Sequence, residues 1–239
     1  MYGWRGTIGL IKPTFRPGPL EAFIRLLPEG VCVIPRYVGL RSGTEKEFQE
    51  AQSMIDQRVG ELAALKADLA LLQGAPPFML LGLDFDKANT SRLEKKHGIA
   101  VVSSTRAQID ALRALRVRRL VGLTYFSDEL NAQFREFFEA AGTSVAAMEG
   151  IHVPFSDVGK IPLEVIAERA REVFLTAGGG DCLYLLGGGW DCLGAVTALE
   201  RELNTTVLAN VPADLWVCLK RLNVRERITG YGRLLEDLP

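Results

Sequence analysis

Asp181-Cys182-Leu183-Tyr184-Leu185-Leu186-Gly187-Gly188-Gly189-Trp190-Asp191-Cys192 is the stretch from which the fold is read. Cys182 to Leu186 is a continuous apolar run of strand length, and three glycines end it. A run without polar alternation suits a strand covered on both faces, as in a parallel sheet. The residues after the glycines read as a helix. An earlier segment, Asp68-Leu69-Ala70-Leu71-Leu72-Gln73-Gly74-Ala75-Pro76-Pro77, has the same design. In each, an Asp stands six residues before the Gly that closes the strand, and the two segments lie 113 positions apart. Ile8-Gly9-Leu10 and Val121-Gly122-Leu123 share that separation, and Val207-Leu208-Ala209-Asn210 loosely echoes Val101-Val102-Ser103-Ser104. Self-similarity of this kind marks a duplicated architecture.

Outward from these segments, apolar strands alternate with amphipathic helices. Strands are expected at 7–11, 31–34, 68–73, 99–102, 118–124, 145–148, 182–186 and 206–209. Helices are expected at 19–27, 44–66, 90–96, from 103, 128–141, 162–176, from the triple glycine to 203, and 212–222. Thr44 with Glu47 forms a capping-box pattern, and Pro162 suits a first helical turn. The fold class is α/β: two similar parallel-sheet halves related by a pseudo-twofold axis, with a cleft between them. Residues 1–103 plus 211–239 are assigned to the first domain and 104–210 to the second. Ligands of open α/β sheets sit beyond the carboxyl ends of the strands. The strand ends at Lys12, Gly74, Tyr125 and Gly187 are therefore expected to converge on one cleft.

Composition narrows the function classes. The 239 residues are 48% hydrophobic and 24% charged, ample for a packed core. The formal net charge of −1 gives no global field for nucleic acid or an anionic membrane. No apolar run approaches the ~18 residues of a membrane span, and the start of the chain has no signal-peptide core. Four scattered cysteines fit a reducing, cytoplasmic setting and no zinc spacing. Neither a dinucleotide nor a Walker fingerprint is present, and no metal or other cofactor is expected. Homo-oligomerisation is left open.

Taken together, Thr7-Ile8-Gly9-Leu10-Ile11-Lys12-Pro13, Leu72-Gln73-Gly74, Thr124-Tyr125-Phe126 through Asp128-Glu129-Leu130-Asn131, Leu186-Gly187-Gly188-Gly189 and Gly230-Tyr231-Gly232-Arg233-Leu234 resemble the aspartate/glutamate racemase superfamily. The nearest branch is that of maleate isomerase and arylmalonate decarboxylase, and the resemblance spans nearly the whole chain. It implies a cofactor-independent isomerase or lyase for a small carboxylate. In that family, strand-end cysteines transfer protons or attack an alkene, and small hydroxyls, backbone N–H groups and a Tyr hold a dioxyanion. Here both cysteine positions read as Gly74 and Gly187, the hydroxyl pair reads Ala75-Pro76, and the family's Tyr falls on Phe126. The resemblance therefore implies a carboxylate site without the thiols.

Several residues are candidates for that site. Lys12 can anchor a carboxylate, form a Schiff base or move a proton, or else face solvent beside Pro13. Its partner at the 113 separation, Tyr125, is a hydroxyl donor. Cys192 is either a displaced thiol near a helix start or a small core residue. Asp191 either caps the helix after the glycines or serves as a general acid or base. Gly187, Gly188 and Gly189 offer N–H groups at a helix start for a substrate carboxylate, or make a tight turn. Pro13, Gly74, Ala75 and Phe126 line the site, and Arg41, with Arg16 and Arg36, borders it. His152 lies on a loop able to reach the cleft, and His97 sits at a helix end suited to the dipole. The function expected is that of an enzyme forming an enolate-like species from a small carboxylate without a cysteine. The alternative is a catalytically inert relative that binds a small anion and regulates.

Overall fold

The computed structural model describes residues 2–40, 45–74, 79 and 81–238, and for 45–50 the backbone alone. Arg41, Ala75, Pro76 and the Thr44/Glu47 capping box lie outside the described side chains. The first sheet holds β1 (Gly6–Lys12), β2 (Val31–Tyr37), β3 (Leu69–Leu72) and β4 (Ala100–Ser103), in the order β2-β1-β3-β4. The second holds β5 (Arg119–Thr124), β6 (Ser144–Gly150), β7 (Cys182–Leu185) and β8 (Thr206–Ala209), in the order β6-β5-β7-β8. Every pairing is parallel, and the two sheets share one topology.

Helices α1 (Gly18–Arg25), α2 (Glu45–Ala64), α3 (Gly82–His97) and α4 (Ser104–Ala114) follow the strands of the first half. Those of the second are α5 (Asp128–Ala140), α6 (Leu163–Thr176), α7 (Val196–Leu203) and α8 (Asn210–Arg221), with α9 (Arg233–Asp237) closing the chain. Ser103 caps α4 by accepting the Arg106 N–H, and Ser127, one place before the expected Asp128, caps α5 from Leu130. Helix α3 begins eight residues before the expected start and ends where Gly98 adopts φ 67°. Strand β2 runs through Pro35, beyond its expected end at Ile34, because β2 is an edge strand and needs no N–H there. Among the described residues no helix is long and apolar enough to cross a membrane.

The repeated Asp has a structural task. Asp68 accepts the Thr7 N–H at 2.7 Å, and Asp181 accepts those of Arg118 and Arg119 at 2.9 Å. Each carboxylate pins the amino end of its strand to the central strand of its sheet. The central strands themselves do not obey the 113 separation. Gln73 N–H donates to Ile11 and Leu186 N–H to Leu123; Val38 N–H donates to Lys12 and Ile151 N–H to Thr124. Lys12 therefore corresponds in space to Thr124, and Tyr125 to Pro13, which corrects the expected pairing of Lys12 with Tyr125. The second half carries one extra residue between its central strand and β7. A one-residue offset reverses the face of every side chain, so Lys12 and Tyr125 point from opposite faces of their strands.

Helices α4 and α8 pack on each other between the two halves, and α8 also meets α1, β3, β4 and β8. Ile8, Leu10 and Phe23 of the first half join one continuous core with most of the second half. Ile11, Ala70 and Leu72, on the other face of the first sheet, form a separate core with α2.

Candidate active site

In the second half the chain turns sharply after β7. Gly187 adopts φ 121°, a conformation that glycine takes without strain. A Cβ added there would lie 2.7 Å from Tyr125 Cζ and 2.9 Å from its hydroxyl oxygen. The Tyr125 phenol thus fills the space that a side chain at position 187 would enter. Its oxygen accepts the Gly189 N–H at 2.9 Å. The ring packs edge-on against Trp190 at 5.2 Å between centroids and against Phe126 at 4.4 Å, and Phe126 in turn meets Phe134. Burial pushes Tyr125 up to about 12, against the opposing pull of the Gly189 N–H and Arg16. The phenol keeps its proton at neutral pH and offers it as a donor.

The triple glycine does not open a helix. Residues Leu193–Ala195 form one 3-10 turn, and α7 begins only at Val196. The glycines therefore precede the helix rather than forming its first turn. The Gly187 N–H donates to Asn210 Oδ1 at 2.6 Å and the Gly189 N–H to Tyr125, so both donors are used within the protein. Asp191 is corrected as well: it caps no helix, its side chain is 64% exposed, and its nearest cation is Arg25 at 3.8 Å. Cys192 is buried, and burial and Asp191 raise its thiol to about 12, the reverse of thiolate stabilisation. It is a core residue, as are Cys182 and Cys218. His152 lies on the surface 3.7 Å from Asp128, and His97 sits 2.8 Å from Asp56 on the far side of α3. Arg36, next to last in β2, is paired with Glu61 of α2 at 3.0 Å.

The first half presents a different set. Pro13 Cγ lies 2.8 Å from where a Cβ on Gly74 would stand, with Gly74 at φ 102°. Lys12, the last residue of β1, is fully buried. Its ammonium donates to the Arg16 carbonyl and sits 5.3 Å from the centre of the Tyr37 ring. Desolvation lowers it to about 8. The segment that covers Lys12 reaches the second half: the Arg16 guanidinium stacks 3.9 Å over the Phe155 ring, and a Cβ added to Gly188 would lie 3.9 Å from Pro19. The first-half loop after β1 and the Tyr125–Gly189 turn thus form opposing walls.

Behind the strand ends lies a polar seam in which Ser104, Asp214 and Asn210 were not expected to act. Gly74 N–H donates to Ser104 Oγ at 3.2 Å, and Ser104 donates to Asp214 at 2.7 Å. In the second half Asn210 receives the Gly187 N–H and the Tyr184 hydroxyl, the latter at 3.3 Å. Ser104 and Asn210 are each the first residue of the helix after the fourth strand of their sheet, and both hold the N–H of a strand-end glycine. The echo between 101–104 and 207–210 was the signal that paired them. Burial pushes Asp214 up to about 7, opposed by the Ser104 hydroxyl and Gln73. Gln108, one turn beyond Ser104, is buried with neither amide atom partnered among the described residues.

Two parallel sheets of one topology, with glycine-ended strands backed by a shared helix pair, define a duplicated α/β protein. A profile of arylmalonate decarboxylase matches residues 8–235, and the chain belongs to that family. It is 23% identical to the arylmalonate decarboxylase of Bordetella bronchiseptica over 233 residues, 97% of each chain. It is 22% identical to the maleate isomerase of Geobacillus stearothermophilus, covering 95% of this chain and 96% of that one. Among solved structures, a mutant of Nocardia farcinica maleate cis-trans isomerase with a covalently bound succinylcysteine intermediate superposes with a TM-score of 0.89 at 22% identity, over 98% of this chain and 99% of that one. A liganded double mutant of arylmalonate decarboxylase gives 0.87 at 23%, over 97% and 99%. The duplicated α/β fold is shared with these enzymes.

Proposed function

We propose that this chain is an enzyme acting on a small carboxylate, as an isomerase, decarboxylase or lyase, through an enolate-like species and without a catalytic cysteine. The site lies between a unit of 1–103 with 211–239 and a unit of 104–210. The observation that carries this reading is Tyr125, whose phenol stands where a side chain of residue 187 would project. A thiol at 187 and a tyrosine at 125 exclude each other in space, and this chain has the tyrosine. Tyr125, protonated at neutral pH, would deliver a proton to the carbanion carbon. Arg16, facing the second half, would attract the substrate carboxylate, and Phe126, Phe155 and Trp190 would keep the reacting carbon from water.

The test is proton–deuterium exchange at the α-carbon of malonates, maleate and hydroxy acids, together with product analysis. Turnover in wild type that survives iodoacetamide and is lost in Tyr125→Phe supports the reading. Turnover that disappears when a thiol is alkylated in the native protein overturns it. In a second reading the chain is an inert small-anion binder with a regulatory role: the Gly187 and Gly189 N–H groups are taken up within the protein and do not stabilise an enolate, which leaves Arg16 to hold the anion. Thermal stabilisation by a carboxylate without exchange or turnover would select it.

A further inference from the structure

Among the described residues Lys12 is the one fully buried cation at these strand ends, and the family relationship does not account for it. Along β1 the side chains alternate, and Lys12 continues the row of Ile8 and Leu10 into the core shared by both halves. Its stem is therefore apolar in its surroundings, and its amine comes out at the carboxyl end of the central strand. Among the described residues no carboxylate lies within salt-bridge distance of it. Its acceptors are a single carbonyl, that of Arg16, and the face of Tyr37. A structural lysine at this depth would be paired, because an unpaired buried ammonium is costly. An amine kept desolvated and unpaired is instead a nucleophile.

Resting on the carboxylate-enzyme reading above, we propose that Lys12 forms an imine with the ketone of a small 3-oxo carboxylate. The Lys12 amine adds to the ketone carbon, and loss of water gives a protonated imine. The bond to the carboxylate breaks, its electron pair moves into the iminium, and carbon dioxide and an enamine result. The enamine carbon takes a proton from Tyr125, which regains one from water. Water then hydrolyses the imine, releasing the ketone and the free amine. In sum, the oxo acid and one proton become a ketone and carbon dioxide. The enamine is the nitrogen counterpart of the enolate, and it needs neither a thiol nor the Gly187 and Gly189 N–H groups. The Arg16 segment supplies the gate: its carbonyl covers the amine and its guanidinium faces the second half. A carboxylate drawing on that guanidinium would lift the carbonyl from Lys12.

The experiment treats the full chain with acetylacetone, a 1,3-diketone that converts neutral amines to absorbing enaminones, and separately with acetoacetate followed by borohydride. One adduct per chain, mapped to the peptide containing Lys12 and forming at a pH where exposed lysines stay protonated, is the expected result. Lys12→Met, which keeps the length and removes the buried charge, should fold with unchanged or higher thermal stability and lose the adduct. Adducts spread over exposed lysines, or an adduct unchanged in Lys12→Met, would overturn the proposal, as would the absence of any adduct. A thermal-shift series with malonate and maleate on both proteins separates the two readings. Stabilisation by carboxylates without an adduct removes the imine and leaves the carboxylate site; neither stabilisation nor adduct removes both.

Discussion

The two strand-end turns solve the same backbone problem with different chemistry. At Gly74 the N–H is held by Ser104, which is in turn held by the carboxylate of Asp214. At Gly187 the N–H is held by the neutral Asn210, backed by the Tyr184 hydroxyl. Beside the first turn stand Pro13 and the buried Lys12; beside the second stand Tyr125 and an aromatic wall. An amine and a carboxyl group flank the first turn, and phenols and rings flank the second. Duplication thus preserved the geometry of the turns while the side chains around them diverged into an acid–base side and an aromatic donor side.

The sharpest way to break this comparison is to restore a side chain at the second turn. Gly187→Cys places a Cβ inside the Tyr125 ring and forces a non-glycine residue to a φ of 121°. Overpacking and backbone strain together should cost up to about 6 kcal/mol in denaturant unfolding. Adding Tyr125→Ala should return much of the overpacking part. Equal losses in the single and double variants would show that Tyr125 does not fill that space.

Titration tests the acid–base side. The native state holds the Asp214 proton up to about pH 7, while the unfolded chain releases it in the ordinary carboxylate range. Stability is therefore highest below that range, falls as pH rises toward 7, and levels off above, by up to about 4 kcal/mol. Asp214→Asn should flatten this fall, leaving the smaller slope of Asp86 and Glu200, whose pKa values burial also raises. Asn210→Asp should add a fall of the same sign in the second half. Asp56, held low by hydrogen bonds from Arg92 and Lys96, acts in the opposite sense, losing stability only at strongly acid pH. Melting temperatures across pH 4–8 in all three proteins are the measurement.

Smaller effects should localise. Ser104→Ala leaves the Gly74 N–H and Asp214 without their shared partner and should cost about 2 kcal/mol. Amide exchange should accelerate at Gly74 and not at Gly187. Tyr184→Phe removes only the long bond to Asn210 and should cost about 1 kcal/mol or less. A larger loss in Tyr184→Phe than in Ser104→Ala would reverse the ranking of the two clamps.

Strand and helix identity were legible because a buried parallel strand needs an unbroken apolar run, and Leu183 to Leu186 or Leu69 to Leu72 can be little else. The role of Asp68 and Asp181 was hidden, since a carboxylate receiving backbone N–H groups leaves no pattern distinct from a turn acid. The Lys12–Tyr125 pairing failed because Ile8-Gly9-Leu10 matches Val121-Gly122-Leu123 in letters one position away from where the hydrogen bonds place them. Of the two readings of Cys192 the structure shows the core residue, and the capping reading of Asp191 did not hold because a 3-10 turn, with Cys192 at its N-cap position, precedes α7.

The sequence by itself determined the duplication and the strand-end glycines, since these depend on local pattern and residue identity. The tertiary structure decided what stands beside those glycines. That Tyr125 occupies the space beside Gly187, that Asp214 reaches Ser104 from a helix 110 residues away, and that Lys12 is buried under the Arg16 carbonyl all depend on how the chain packs. Such contacts are set by the packing of α4, α8 and the loop after β1, where side-chain volume and desolvation, rather than spacing along the chain, choose the partners.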